Sequence, residues 1–288
     1  MNRWLTGARL RTLPAAIVPV ALGASAAVGN GGARWWALPL ALFVSVALQV
    51  GVNYANDYSD GVRGTDDARV GPERLVAAGL APAQSVKRAA FAAFGAAATV
   101  GLVLAITTSW WLVAVGAASV AAGWFYTGGS HPYGYLGLGE VFVFVFFGLV
   151  ATVGTTFVII ERFPALAWWL GVAAGALACS LLVVNNLRDI PTDAAAGKRT
   201  LAVRLGDRRT RVLYVALVAV AFAVVAVVAA SGRPLALIAL VATGLAVAPA
   251  RAVLGGASGR QLIAVLGATG RVQLAFGALL ALGVALSG

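Results

Sequence analysis

Between Leu13 and Ser287 the sequence is a succession of apolar runs of membrane-spanning length, separated by short polar breaks. No other feature constrains the fold as strongly. Hydrocarbon offers no water to satisfy backbone N–H and C=O groups, so a spanning chain must form helices or a closed barrel. The Val/Ala/Leu runs lack period-2 alternation, which favours helices over an outer-membrane barrel. Hydropathy places about nine spans, at 13–29, 36–55, 86–106, 110–126, 139–160, 165–187, 212–230, 235–250 and 271–287. No polar linker separates them, so residues 1–288 are expected to form a single transmembrane domain, an all-α polytopic helix bundle. The opening MNRWLTGARLRTLP has neither the apolar region nor the small-residue cleavage site of a removable signal peptide, and is expected to belong to the mature chain.

Only 11% of residues are charged, against about 25% in soluble domains. The net charge of +11 suggests nucleic acid, but basic residues in such a chain set topology and meet anionic lipid, so no nucleic-acid partner is expected. With a cytoplasmic N-terminus, 18 of the 21 Lys and Arg residues fall on the inner side, and only Arg34, Arg162 and Arg233 fall outside. That bias fixes the orientation and supports an odd number of spans. Trp35–Trp36, Trp110–Trp111 and Trp168–Trp169 each open a span on the outer side, as an interfacial belt would. Glu161 and Arg162 read as a surface pair there. Cys179 stands alone, which excludes an intramolecular disulfide and a cysteine-based metal site.

Acidic residues are scarce, yet four of the ten crowd into NYANDYSDGVRGTDD, from Asn53 to Asp67. On a helix Asn53, Asp57 and Asp60 share a face, with Asn56 beside them, and Gly61 and Gly64 allow a turn that returns Asp66 and Asp67. In NNLRDIPTDAAAGKRT, from Asn185 to Thr200, Asn185, Asp189 and Asp193 form a second column flanked by Asn186. Both columns fall on the cytoplasmic side. Carboxylates near membrane depth are costly and repel one another, and a hard divalent cation removes both problems. Arg74, Arg188 and Lys198 offer positive charge for phosphate oxygens. Together these residues fit a Mg2+-bridged diphosphate site. Each stretch alone also reads as a solvated loop with capping carboxylates, and Asp193 as a helix cap or partner of Lys198. Matching positions on one membrane side favour a shared site.

NDYSDGVRGTDD resembles the first Asp-rich motif of the UbiA superfamily of intramembrane prenyltransferases, and NNLRDIPTDAAAGKRTLAVRLG resembles the second. Within that superfamily ARLRTLPAAIVPVALG, GTDDARVGPERLV and YTGGSHPYGYLGLGE are similar to the branch that prenylates 1,4-dihydroxy-2-naphthoate in menaquinone synthesis. The resemblance covers essentially the whole chain. It departs at Leu10 and Leu149, where proline is usual. Gly64 stands where the 4-hydroxybenzoate branch places its last aspartate, and here the acid arrives at Asp66, which argues against that branch.

The resemblance implies a bacterial plasma-membrane enzyme with a central cavity and its mouth in the cytoplasm. Its substrates would be polyprenyl diphosphate and 1,4-dihydroxy-2-naphthoate, its cofactor Mg2+, two ions bridging the diphosphate. Asp57, Asp60 and Asp66 would hold one ion, and Asp189 and Asp193 the other. Asn56 and Asn186 would support metal or diphosphate, and Arg74, Lys198 and Arg188 would contact the diphosphate, unless Arg188 is tied to a neighbouring aspartate. Asn53 either faces the aromatic substrate or makes a hydrogen bond inside the bundle. Tyr126 either stabilises an allylic cation through its ring or sits at the headgroup boundary. Glu140 either reaches the cavity or caps a helix, and His131 is expected to be solvated. A homogentisate or 4-hydroxybenzoate prenyltransferase is the nearest alternative. A Mg2+ transporter would need polar residues on both sides of the membrane, and the outer loops carry almost none.

Overall fold

The computed structural model describes residues 2–65, 71 and 73–288, and among them every regular element is helical. Asp66, expected as a metal ligand, lies outside the described residues. The chain opens with α1 (Arg3–Ala8), capped by the Asn2 side chain, which accepts from the Trp4 N–H at 3.0 Å. Arg9 then takes a left-handed conformation (φ 53°) and a 3₁₀ turn, Leu10–Thr12, leads into α2 (Pro14–Ala27). Pro14 starts α2 where its missing N–H costs nothing. The segments Arg3–Thr12 and Pro14–Ala27 meet at 51°.

Eight more helices follow: α3 (Ala37–Val62), α4 (Ala83–Thr107), α5 (Trp111–Phe125), α6 (Gly139–Ile160), α7 (Ala165–Ala195), α8 (Leu201–Ala230), α9 (Pro234–Leu254) and α10 (Gln261–Leu286). Each of the expected spans overlaps one of α2–α10. Among the described residues, however, only seven helices are long and apolar enough to cross a membrane, or eight if the bent pair counts as one. The remaining helix, α5, has 15 residues and is therefore only about 22 Å long. Hydropathy also ended α3 and α7 too early, because a helix continues past its first charged residue wherever backbone bonding does. The extensions to Val62 and Ala195 carry the acidic residues on helix, not loop. α8 likewise begins early, and breaks at Gly206 (φ 74°).

α7 is the axis of the bundle, with 78% of its apolar window buried. Leu170, Leu177 and Val184 pack with Leu22 of α2, Tyr214 of α8 and Phe276 of α10 in the main core. α6 changes winding over Phe144–Val150, a π-helical stretch. There Gly148 lies against α7 so closely that a Cβ would stand 2.6 Å from the Gly175 Cα. Small residues permit that crossing. A second cluster, with Tyr54, Leu75, Val86 and Phe94, joins α3 and α4 to the 71–81 loop.

At one end Arg34 gathers three connections, donating to Thr107 O at 2.9 Å and to Thr108 Oγ1 and Val158 O, both at 3.1 Å. It also meets Glu161 at 2.6 Å, which corrects the expected Glu161–Arg162 pairing: helix packing brings a remote loop closer than the chain neighbour's side chain. All six expected belt tryptophans are exposed, beside the loops of this end. The site lies at the other end.

Candidate active site at the convergence of two acidic helix ends

The α3 face that lines the internal cavity carries Gln49, Asn53, Asn56 and Asp60. It differs from the expected face by about one residue, and Asp57 falls on the back. Asp57 is fully buried, its Oδ2 accepting the Leu75 N–H at 2.9 Å and its Oδ1 the Val76 N–H at 3.1 Å. It thereby clamps the loop bearing Arg74, which reaches the cavity wall. Asp57, expected as a direct metal ligand, here turns both oxygens to these backbone N–H groups, away from the chamber. Asn53 spends its amide on the Ala8 carbonyl at 2.9 Å and Thr12 Oγ1 at 3.1 Å, the hydrogen bond inside the bundle that was its alternative reading. Asn56 accepts from Thr127 Oγ1 at 2.9 Å.

On α7 the expected column holds: Asn185, Asn186, Asp189 and Asp193 all line the same cavity as Asp60. Arg188 forks onto its neighbour Asp189, Nε to Oδ1 at 2.7 Å and Nη2 to Oδ2 at 2.6 Å, and also donates to Asn185 Oδ1 at 2.7 Å. The bidentate fork neutralises Asp189 and fixes its orientation. Asn186 donates to Glu140 Oε1 at 3.0 Å, so Glu140 meets the second motif from the start of α6. His131 is exposed and sits beside Ser130 Oγ at 3.0 Å.

Lys198 joins the two halves. Its Nζ lies 3.1 Å from Asp60 Oδ1 and 4.0 Å from Asp193 Oδ1, and 4.7 Å from the centre of the Tyr135 ring. Tyr135 also donates its hydroxyl to Asp60 Oδ1 at 2.6 Å. The loop is held in place by backbone: Lys198 N donates to Asp193 O at 2.8 Å and Arg199 N to Tyr135 O at 2.9 Å. Burial works against the Lys198 charge, but the carboxylates of Asp60 and Asp193, with Tyr135, outweigh it and raise its pKa above the ordinary lysine value. Burial, then the Asp60 carboxylate, pushes the Tyr135 phenol up. The Tyr135 phenol therefore stays protonated at neutral pH.

The cavity below this mouth has a volume of about 730 Å³ and turns apolar with depth, where Val52, Leu112, Phe146 and Phe147 line it. Tyr126 stands on its wall edge-on to Tyr133, with ring centres 5.5 Å apart. An anionic, hydrogen-bonding mouth over an apolar chamber suits an amphiphile with a phosphate-bearing head. The donors are all oxygen, with neutral amides among the carboxylates, and fit a hard cation such as Mg2+ that draws further ligands from substrate phosphates. Among the described residues no three His, Cys, Asp or Glu side chains form a ready-made cage. Tyr135, Thr127 and Gln49 were not singled out from the sequence. Tyr135 sits in a recognisable loop, but nothing local indicates which carboxylate an aromatic hydroxyl will meet.

Residues 16–262 match the UbiA prenyltransferase family. The chain is 55% identical over 272 residues to 1,4-dihydroxy-2-naphthoate octaprenyltransferase of Mycobacterium tuberculosis, covering 94% of this chain and 93% of that one. It is 36% identical over 215 residues to the Escherichia coli protein of the same name, covering 72% and 70%. Its fold is similar to that of a UbiA homolog from Archaeoglobus fulgidus bound to GPP and Mg2+, with a TM-score of 0.68 at 14% identity and coverage of 97% and 99%.

Proposed function

Because this chain belongs to the UbiA prenyltransferase family, we propose that it transfers a polyprenyl group from polyprenyl diphosphate to 1,4-dihydroxy-2-naphthoate. The observation that carries this reading is the Asp60–Lys198–Asp193 bridge across the mouth of an apolar chamber. Relatives named for that acceptor, at 55% and 36% identity, supply the choice of substrate.

In this reading the diphosphate head rests at the mouth, where Lys198 and Arg74 provide positive charge, while Arg188 is tied to Asp189. Asp60 and Asn56 would hold one Mg2+ and Asp189, Asp193 and Asn186 a second. Mg2+ held there would supply the positive charge that offsets what gathers on the diphosphate as its carbon–oxygen bond breaks. The described side chains do the remaining work. Asp57 keeps the Arg74 loop over the mouth and Arg188 holds Asp189 in register. The rings of Tyr126, Tyr133 and Phe142 turn an apolar, polarisable wall toward the developing allylic cation and exclude water from it. The acceptor ring attacks through the carbon bearing its carboxylate. Loss of CO2 returns the bonding pair to the ring, giving a demethylmenaquinol, with pyrophosphate as the other product. The concentration of basic residues at the site end supports a cytoplasmic mouth in a bacterial plasma membrane.

The test is product analysis. Purified membranes given a prenyl diphosphate and dihydroxynaphthoate labelled in its carboxyl carbon should release labelled CO2 and yield the decarboxylated prenyl adduct by mass spectrometry. Turnover of homogentisate or 4-hydroxybenzoate, with none of dihydroxynaphthoate, would overturn the acceptor assignment.

A further inference from the structure

A groove of about 660 Å³ runs between the bend at Leu10–Pro14 and the first half of α10. Its charged side chains are Arg11, Arg260 and Arg271, and no acidic residue lines it. All three arginines are exposed, and among the described residues no hydrogen bond or ion pair engages their guanidinium groups. Arg260 precedes α10 and Arg271 lies within it, about three turns further along the same helix face. An exposed arginine that far into a spanning helix is costly unless its charge is met. The Arg271 side chain runs back along the groove toward the basic end: its Nη1 lies 4.0 Å from where a Cβ on Gly267 would be. Leu10, Ile263 and Leu274 supply apolar surface between the cations.

Three unpartnered guanidinium groups beside apolar side chains complement one kind of molecule that a bilayer always offers. We infer that the groove binds an anionic glycerophospholipid of the surrounding membrane, its phosphate on the arginines and its acyl chains along Leu10, Ile263 and Leu274. Guanidinium forks suit phosphate oxygens, and basic clefts between membrane helices bind anionic headgroups. Leu10, Arg11 and Ile263 also belong to the wall of the large chamber, so the lipid packs against the outside of that wall.

Native mass spectrometry of the purified full chain in detergent tests this directly, with phosphatidylglycerol and phosphatidylcholine of identical acyl chains as probes. The wild type should retain phosphatidylglycerol in preference to phosphatidylcholine. Arg260→Gln with Arg271→Gln should weaken phosphatidylglycerol binding roughly thirtyfold and leave phosphatidylcholine binding unchanged. If the double variant does not purify folded, Arg260→Gln alone, outside the helix, should give a loss of about fivefold. Equal retention of the two lipids by the wild type, or undiminished phosphatidylglycerol binding by the variants, overturns the proposal. A competition arm separates the lipid from the prenyl donor. If farnesyl diphosphate displaces phosphatidylglycerol, and its own binding falls with the same substitutions, the groove serves the donor and the lipid assignment fails.

Discussion

Lys198 is a single cation placed between carboxylates from both acidic helix ends, and most of the mouth depends on it. If Lys198 meets the diphosphate as proposed, Lys198→Met should reduce turnover by about a hundredfold or more, since a buried charge aimed at a leaving group is among the largest catalytic contributions. The folded pKa of this lysine is raised, so the stability its charge provides is fully present below the unfolded value of about 10.4 and is lost as pH climbs through the folded value. The gap in Tm between wild type and Lys198→Met should therefore stay constant from about pH 7 to 9 and narrow only above about pH 10. Asp57 and Asp60 make a second comparison. Asp57→Asn forfeits one of two charge-assisted bonds to the Leu75 and Val76 amides, a loss of about 1.5–3 kcal/mol, visible as a lower Tm. Asp60→Asn keeps an acceptor for Tyr135 and should abolish turnover with a much smaller drop in Tm. Equal thermal stability of the two variants would refute the loop-clamp role of Asp57. Both acids stand out in the sequence from their crowding alone. Which of them faces the chamber was not, because the rotation of α3 is set by its packing on α4 and the 71–81 loop.

Helices α6 and α7 cross where glycine meets glycine. Gly148→Ala would force a methyl group against the Gly175 backbone and should cost about 1–3 kcal/mol in unfolding experiments, as overpacking does. Gly95→Ala on α4, where nothing lies within 4 Å of the added carbon, should instead stabilise by up to about 1 kcal/mol through helix propensity. A larger penalty at Gly95 than at Gly148 would contradict the packing described. Element existence was readable from hydropathy, since each apolar run became a helix. Element ends were not, and the π-helical stretch at Phe144–Val150 had no local signature, because it arises from how α6 settles against α7.

For the whole molecule, the two ends differ in charge, and that difference predicts sidedness. The native Cys179 is buried, so introduced cysteines can be read cleanly. A membrane-impermeant maleimide applied to intact cells should label Gly31→Cys, in the loop after α2, and spare Ser130→Cys, beside the mouth, until the membrane is opened. The reverse pattern would invert the proposed orientation. Removing divalent metal with a chelator should stop turnover, and Mg2+ should restore it, with helix content by circular dichroism unchanged throughout, since the core between α2, α7, α8 and α10 is apolar. Full turnover in chelator would exclude the Mg2+ role. The sequence alone determined that the chain crosses a membrane as helices, which end is basic, and that two acidic stretches share that end. These follow from transfer energies and charge placement, which act residue by residue. Only the tertiary structure decided that Lys198 bridges the stretches, that Tyr135 and not a neighbouring residue steadies Asp60, and that Asp57 turns its back on the chamber. Those outcomes depend on helix rotation and on loops meeting across the bundle, set by packing among residues far apart in the chain.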